Sequence, residues 1–219
     1  MPNPIEIITG MTKYPAPFTH RVLILCHEKQ IPYTLTQINT EQKPDWFIAI
    51  APLGLVPVMQ IEGEVIQDSR AIWEYLDFTY QPSLLPTNAI ECAKHRSWIA
   101  FGDELAQEIA QFVKQGKMLT HDLTALHKLL QILDEQIKGS YFFGEIFSMV
   151  DITLISHILW IDSLEQKVLP FKILQKYPKI ASWLTQMKLR PSIRETMGDN
   201  YIEEFIAVLK QYNLLNGCS

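Results

Sequence analysis

The segment 54–69 constrains the fold of this chain more than any other part of the sequence. Val56-Pro57 opens a short apolar run, Glu62-Gly63 interrupts it, and a second short run ends at Asp68-Ser69. Proline donates no ladder hydrogen bond and therefore marks the start of a strand or an edge strand. A glycine-containing pair between two such runs is typical of a tight hairpin turn. The segment predicts two antiparallel strands followed directly by a helix that begins near a serine.

The first 80 residues alternate strand and helix patterns in the order β-α-β-α-β-β-α, which predicts a small α/β domain. After the proline-rich stretch 82–86 only helical periodicity remains. We therefore expect a domain at 1–80, a linker at 81–88, and an all-helical domain at 89–219. The C-terminal extra helix of that domain carries an apolar stripe of Tyr201, Phe205, Leu209 and Tyr212. The predicted elements are strand Ile5–Ile8, helix Phe18–Lys29, strand Tyr33–Ile38, a short helix near Lys43–Phe47, strands Pro57–Ile61 and Val65–Gln67, and helix Arg70–Tyr80.

Composition narrows the classes of function. The 219 residues carry a net charge of −5 and no long run of Lys and Arg, so neither nucleic acid nor an anionic membrane is expected as a partner. Three widely spaced cysteines indicate free thiols in a reducing compartment, and the N-terminus lacks the basic region of a signal peptide, so we expect a cytoplasmic protein. The six histidines show no metal-ligand spacing, and no metal site is predicted.

Two features of the segment 54–69 suggest a peptide ligand, although each has an ordinary alternative. A cis bond at Val56-Pro57 would turn the main-chain groups of Val56 toward a bound peptide, whereas a trans bond would simply start an edge strand. Ser69 can cap the following helix, whose N-terminus suits a carboxylate, and Asp68 can accept an ammonium group. A carboxylate and an ammonium on one carbon describe an amino-acid head group. The alternative is a plain helix cap with no ligand.

The chain resembles the cytosolic glutathione S-transferase family, most closely its omega and tau classes. The motifs that carry the resemblance are Lys43-Pro44-Asp45-Trp46-Phe47, the segment from Pro52 to Val58, Asp68-Ser69 and, in the helical half, Tyr177-Pro178 with Arg190-Pro191. The resemblance implies a thioredoxin-like domain followed by a helical bundle, a homodimer, and glutathione as co-substrate with no other cofactor. It also assigns the glutathione-binding residues, with a cis bond before Pro57. They are Phe18, Lys43, Val56, Pro57, Asp68 and Ser69.

One position departs from the family pattern. Omega-like members begin the first helix with Cys-Pro-Phe and tau-like members with Ser-Pro-Phe, whereas this chain has Ala16-Pro17-Phe18. Alanine can neither form a mixed disulfide nor stabilise a thiolate. Thr19 and Tyr14 are the candidate hydroxyls that could take over activation of the thiol, and main-chain N–H groups at the helix start are the alternative. Cys26 falls on the apolar side of the helix and is predicted to be packed and inert.

The function predicted from these residues is conjugation of the glutathione thiolate to a small apolar electrophile, with weak thiol-transferase activity because position 16 is alanine. The competing prediction is a non-catalytic regulatory protein on the same fold. The segment from Phe18 to Val22 is similar to bacterial stringent starvation proteins, which bind RNA polymerase. Those proteins carry Pro-His-Pro at the linker, where this chain has Tyr80-Gln81-Pro82. Binding of glutathione distinguishes the two hypotheses.

Overall fold

The computed structural model describes residues 4–10, 16–114 and 123–211. The chain divides into two units, the first ending at Ser83 and the second beginning at Leu84, which lies inside the predicted linker 81–88. The first unit contains four strands and three helices within its described residues. They are β1 Ile5–Gly10, α1 Pro17–Glu28, β2 Tyr33–Ile38, α2 Asp45–Ile50, β3 Val58–Ile61, β4 Glu64–Gln67 and α3 Ser69–Thr79.

The strands of the first unit form one mixed sheet in the order β2-β1-β3-β4. β1 runs parallel to β2 and antiparallel to β3, and β3 pairs with β4 across the Glu62-Gly63 turn. Both turn residues have positive φ, 55° and 85°, which is the backbone that a two-residue hairpin requires. The β-α-β-α-β-β-α order and the thioredoxin-like class predicted from the sequence are confirmed.

Alternation along the strands buries the two faces of the sheet under different helices. Thr9 of β1 hydrogen bonds to Thr19 of α1, so α1 covers the face that also carries Ile7. The opposite face carries Ile8, which packs with Phe47 of α2 in a buried cluster. Phe47 is fully buried, whereas the neighbouring Trp46 is 48% exposed, so Phe47 anchors this helix to the sheet and Trp46 does not.

The regular secondary structure in the described residues of the second unit is helical, apart from one isolated β-bridge between Tyr141 and Gly144. No helix in the described part of the chain combines the length and the apolar content needed to span a membrane. The elements are α4 Ala89–Lys114, α5 Thr124–Gln136, α6 Met149–Lys167, a short 3-10 helix Leu174–Lys176, α7 Pro178–Leu189, α8 Pro191–Met197 and α9 Tyr201–Gln211.

The start of α6 is fixed by a buried carboxylate. Ser148 and Asp151 form a capping box, the motif that a Ser-x-x-Asp spacing before an apolar run predicts. Asp151 accepts hydrogen bonds from the Ser148 main chain at 3.0 Å, from Phe142 N at 2.7 Å and from Trp183 Nε1 at 3.0 Å. Burial raises the pKa of Asp151, and these hydrogen bonds oppose that rise. The carboxylate therefore joins α6, α7 and the loop before α6 at one point.

The last helix packs against α6 through its predicted apolar stripe. Tyr201, Phe205 and Leu209 are all buried, and the Phe205 ring lies 5.2 Å from the ring of Trp160. Tyr212, the fourth residue of the predicted stripe, lies outside the described residues.

Candidate functional site

Three strands begin or end at one edge of the sheet. Ile8 and Gln67 both pair with Val58, so β1 and β4 end beside the start of β3. Helix α3 begins directly after β4, and the Thr9–Thr19 hydrogen bond of 3.1 Å holds the first turn of α1 against the end of β1. This edge therefore brings two helix N-termini next to the main chain that precedes β3.

The main chain that enters β3 has the conformation expected for a peptide-binding segment. The Val56-Pro57 bond is cis, as the family resemblance implied. Val56 is half-buried and precedes the paired register, which begins at Val58. Gly54 has φ of 64°, and a Cβ there would lie 3.1 Å from Cδ of Lys43. The aliphatic stem of Lys43, an exposed residue, thus passes close to this backbone, and the positive φ of Gly54 favours glycine at this position.

Asp68 caps helix α3. Its Oδ1 accepts hydrogen bonds from Arg70 N at 2.7 Å and from Ala71 N at 3.3 Å, and its φ of 72° folds the carboxylate back over the first turn. Among the described residues its second oxygen, Oδ2, has no hydrogen-bond partner, and Asp68 is exposed. One oxygen of the carboxylate therefore serves the helix, and the other can accept from a ligand.

The predicted cap by Ser69 is wrong. Ser69 is the first residue of α3 and is buried, with 4% of its surface exposed. Its Oγ accepts hydrogen bonds from Arg21 Nη2 at 2.6 Å and from Arg21 Nε at 3.1 Å. Hydrogen bonds from a charged donor are stronger than those from neutral main-chain N–H groups, so the guanidinium determines where the hydroxyl points. The neighbouring aspartate takes over the helix cap.

Helix α1 begins without a side-chain cap. Ala16 occupies the cap position and Pro17 follows it as the first helical residue. Phe18 is 37% exposed, and the guanidinium of Arg21 lies 5.0 Å from the centre of its ring. The start of this helix therefore offers a potential ligand its main chain, the positive end of its dipole and one aromatic side chain.

The structure describes one of the two residues whose hydroxyls were candidates for activating the thiol. Thr19 is fully buried, and its Oγ1 accepts the hydrogen bond from Thr9. It fastens α1 to the sheet, and this placement argues against direct contact with the sulfur of a ligand. Tyr14 lies outside the described residues, so its candidacy stays a prediction.

Cys26 is buried inside α1, as predicted. Burial raises the pKa of its thiol to about 12. A thiol with such a pKa is protonated near neutral pH and is a poor nucleophile. Since Cys26 is the only cysteine before residue 92, the first unit has no accessible thiol of its own.

Sequence reasoning missed Arg21 and Thr9. Both are buried, at 2% and 3% exposure, and both connect α1 to another element. The sequence held a partial signal for Arg21, because this residue directly precedes the apolar run Val22–Cys26. A charged residue that the fold buries is usually paired. Its partner lies 48 positions away in the sequence, which local patterns do not reveal.

Two family models match this architecture. One describes the glutathione S-transferase N-terminal domain and matches residues 16–78. The other describes the glutathione S-transferase C-terminal domain and matches residues 103–186, so the two together cover more than half of the chain. The chain belongs to the glutathione S-transferase family. By family it is a glutathione transferase, a class of protein that binds glutathione.

Relatives of known sequence support the same family. The chain is 28% identical over 200 residues to glutathione S-transferase omega-1 of Sus scrofa, covering 88% of this chain and 81% of the relative. It is 27% identical over 187 residues to a probable glutathione S-transferase of Nicotiana tabacum, covering 83% and 84%.

Solved structures show the same fold. Glutathione transferase Omega 3C from Trametes versicolor superposes with a TM-score of 0.79 at 24% identity, covering 97% of this chain and 91% of that one. The tau-class enzyme of Mangifera indica gives 0.78 at 22% identity, covering 94% and 98%. At these identities the likeness establishes the fold alone.

Proposed function

We propose that this glutathione transferase binds glutathione at the edge of the sheet and conjugates its thiolate to a small apolar electrophile. Weak thiol-transferase activity accompanies this reaction. Two features support the proposal: this edge of the sheet carries groups that suit each part of a bound peptide, and alanine occupies the position where a reactive side chain is expected. The first property supports binding, and the second limits the chemistry.

The binding groups match the parts of glutathione. Its γ-glutamyl carboxylate suits the hydroxyl of Ser69 and the N-terminus of α3, where the helix dipole favours an anion. The free Oδ2 of Asp68 suits the ammonium group on the same carbon. The main chain of Val56, ahead of cis Pro57, suits the cysteinyl main chain in the manner of an added strand. Lys43 supplies an exposed cation for the remaining carboxylate, and Phe18 an apolar contact.

Ala16 decides between the two reaction types. In conjugation, the glutathione sulfur loses its proton to solvent, forms a bond to the electrophilic carbon, and the leaving group departs with its electron pair. Main-chain N–H groups at the start of α1 can favour the thiolate without a side chain. A mixed-disulfide route needs a protein thiol at the helix start, and the nearest cysteine in the sequence, Cys26, is buried with a raised pKa. Conjugation is therefore the favoured reaction.

The test begins with calorimetry of glutathione binding and with turnover of a chromogenic aryl chloride and of a small disulfide. We expect heat at millimolar glutathione, measurable conjugation and near-background disulfide reduction. Absence of heat at millimolar glutathione would overturn the proposal in favour of the regulatory alternative.

A substitution then tests the role of position 16. Ala16→Cys places a thiol at a helix N-terminus, where its pKa falls, and should raise disulfide reduction about tenfold or more. Ala100→Cys, an exposed position inside α4, is the matched control and should leave this activity at background. Equal activity of the two variants would show that the helix start is not the site of thiol chemistry.

The proposed assembly is a homodimer, which is typical of the family.

A further inference from the structure

Arg21 is the most unusual charged residue of the first unit. It lies on α1 between two buried residues, His20 and Val22, and only 2% of its own surface is exposed. Arginine is rarely buried to this extent unless its guanidinium is held by specific partners. The partners include the hydroxyl of Ser69 and the ring of Phe18, which places the cation between the starts of α3 and α1.

The geometry fixes the role of the Ser69 hydroxyl. A hydroxyl oxygen has two lone pairs and one hydrogen. Nη2 and Nε of Arg21 donate to this oxygen at 2.6 Å and 3.1 Å, which occupies both lone pairs. Within the described part of the chain, the hydroxyl hydrogen meets no acceptor. Ser69 is therefore set as a donor, and the oxygen is no longer available to cap the helix.

The same arrangement places a positive charge behind that donor. An anion that accepts from Ser69 at about 2.7 Å, the usual length of such a bond, would lie roughly 5 Å from the nearest guanidinium nitrogen. At this distance, and with both side chains buried, the attraction is weakly screened by salt and solvent. An ammonium group would be repelled from the same place.

We propose that Arg21 is a positioning residue for glutathione, orienting Ser69 as a hydrogen-bond donor to the α-carboxylate of the γ-glutamyl residue. This inference rests on the proposed function, and it assigns the selectivity for that carboxylate to a side chain beneath the binding surface. Asp68, the cap of α3, then faces the ammonium group beside the carboxylate with its free Oδ2. The two ends of the amino-acid head are recognised by groups of opposite sign.

The experiment compares two thiols in steady-state conjugation of an aryl chloride. The first is glutathione, and the second is γ-aminobutyryl-cysteinyl-glycine, which lacks only the α-carboxylate. Arg21→Gln should raise KM for glutathione about tenfold or more, the loss expected for a hydrogen bond to a charged group, with a much smaller change in kcat. KM for the second thiol should change less than about threefold, because the group that Ser69 recognises is absent.

Further variants separate positioning from general damage to the fold. Ser69→Ala should raise KM for glutathione to a similar extent, and the double variant should be no worse than Ser69→Ala alone, because both act on one hydrogen bond. Arg21→Lys, which keeps a buried cation but loses the two-pronged donor, should give an intermediate KM and serves if the Gln variant unfolds. Arg194→Gln makes the same chemical change at an exposed site of the second unit and is the control.

Two results overturn the inference. An equal rise in KM for both thiols would mean that Arg21 supports the fold without orienting Ser69 toward the carboxylate. An unchanged KM for glutathione in both Arg21 variants would mean that the guanidinium does not contribute to binding. Failure of the wild-type protein to bind glutathione is a separate outcome, because it removes the proposed function itself before any variant is compared.

Discussion

A buried ion pair near the end of the first unit should contribute strongly to the stability of the fold. Lys29 Nζ lies 2.9 Å from Asp77 Oδ1, and each side chain is only 5% exposed. The ammonium also donates to the carbonyl groups of Tyr80 at 2.5 Å and Pro82 at 2.6 Å, while Asp77 Oδ2 accepts from Ser83 Oγ at 2.6 Å. One lysine thus connects α1 to the end of α3 and to the residues that follow it.

Lys29→Met removes this cation while keeping a side chain of similar length. Asp77 then loses this counter-ion at a buried site, and such a loss costs about 3–5 kcal/mol in comparable pairs. Coulomb attraction gives the same scale, since unit charges 2.9 Å apart at an effective dielectric constant near 20 attract by roughly 6 kcal/mol before desolvation is subtracted. We expect the free energy of unfolding to fall by about 4 kcal/mol.

Urea unfolding followed by circular dichroism measures this change. With a slope of about 2 kcal/mol per molar urea, the midpoint should fall by roughly 2 M. Lys94→Met is the matched control, because Lys94 lies 2.8 Å from Glu91 but these side chains are 58% and 50% exposed. The control should leave the midpoint nearly unchanged, because solvent-exposed ion pairs contribute little to stability. Equal midpoints for Lys29→Met and Lys94→Met would mean that the buried ion pair stabilises the fold no more than the exposed one.

Three further predictions concern other buried groups. Burial, assisted by His27, lowers the pKa of His20 to about 3, so protonation below its ordinary pKa favours the unfolded chain. The stabilisation is complete above the ordinary pKa and should fall by about 2 kcal/mol between pH 8 and pH 5, a dependence that urea titrations should no longer show in His20→Leu. Cys26 should resist iodoacetamide in the folded protein and react after denaturation, as peptide mass mapping can check. Asp151→Ala should lower the free energy of unfolding by about 3 kcal/mol or more, measured by thermal unfolding, whereas Trp183→Phe should cost about 1 kcal/mol because it removes only one donor to that carboxylate.

The sequence was sufficient for features that depend on neighbouring residues. The turn at Glu62-Gly63, the strand Tyr33–Ile38 and the capping box at Ser148 follow from backbone preferences and side-chain spacing over a few positions. Those preferences act within one turn or one hairpin, so the local sequence pattern is enough to predict these features. The sequence also shows the alanine at position 16, and this residue is the reason to expect weak thiol-transferase activity.

The tertiary structure determined the hydrogen bonds between residues that are distant in the sequence. Sequence reasoning gave the cap of α3 to Ser69, and the structure gives it to Asp68, because a guanidinium 48 positions earlier occupies the serine oxygen. Thr19 was a candidate activator by its position near the helix start, and the structure turns it to Thr9 on the sheet.

A hydroxyl can donate or accept in several directions, and its choice depends on which partners the fold brings within about 3 Å. The sequence by itself therefore determined the strands and helices of the first unit, the family resemblance and the alanine in place of a cysteine at position 16. Only the folded chain determined that a buried arginine lies behind the serine expected to hold glutathione.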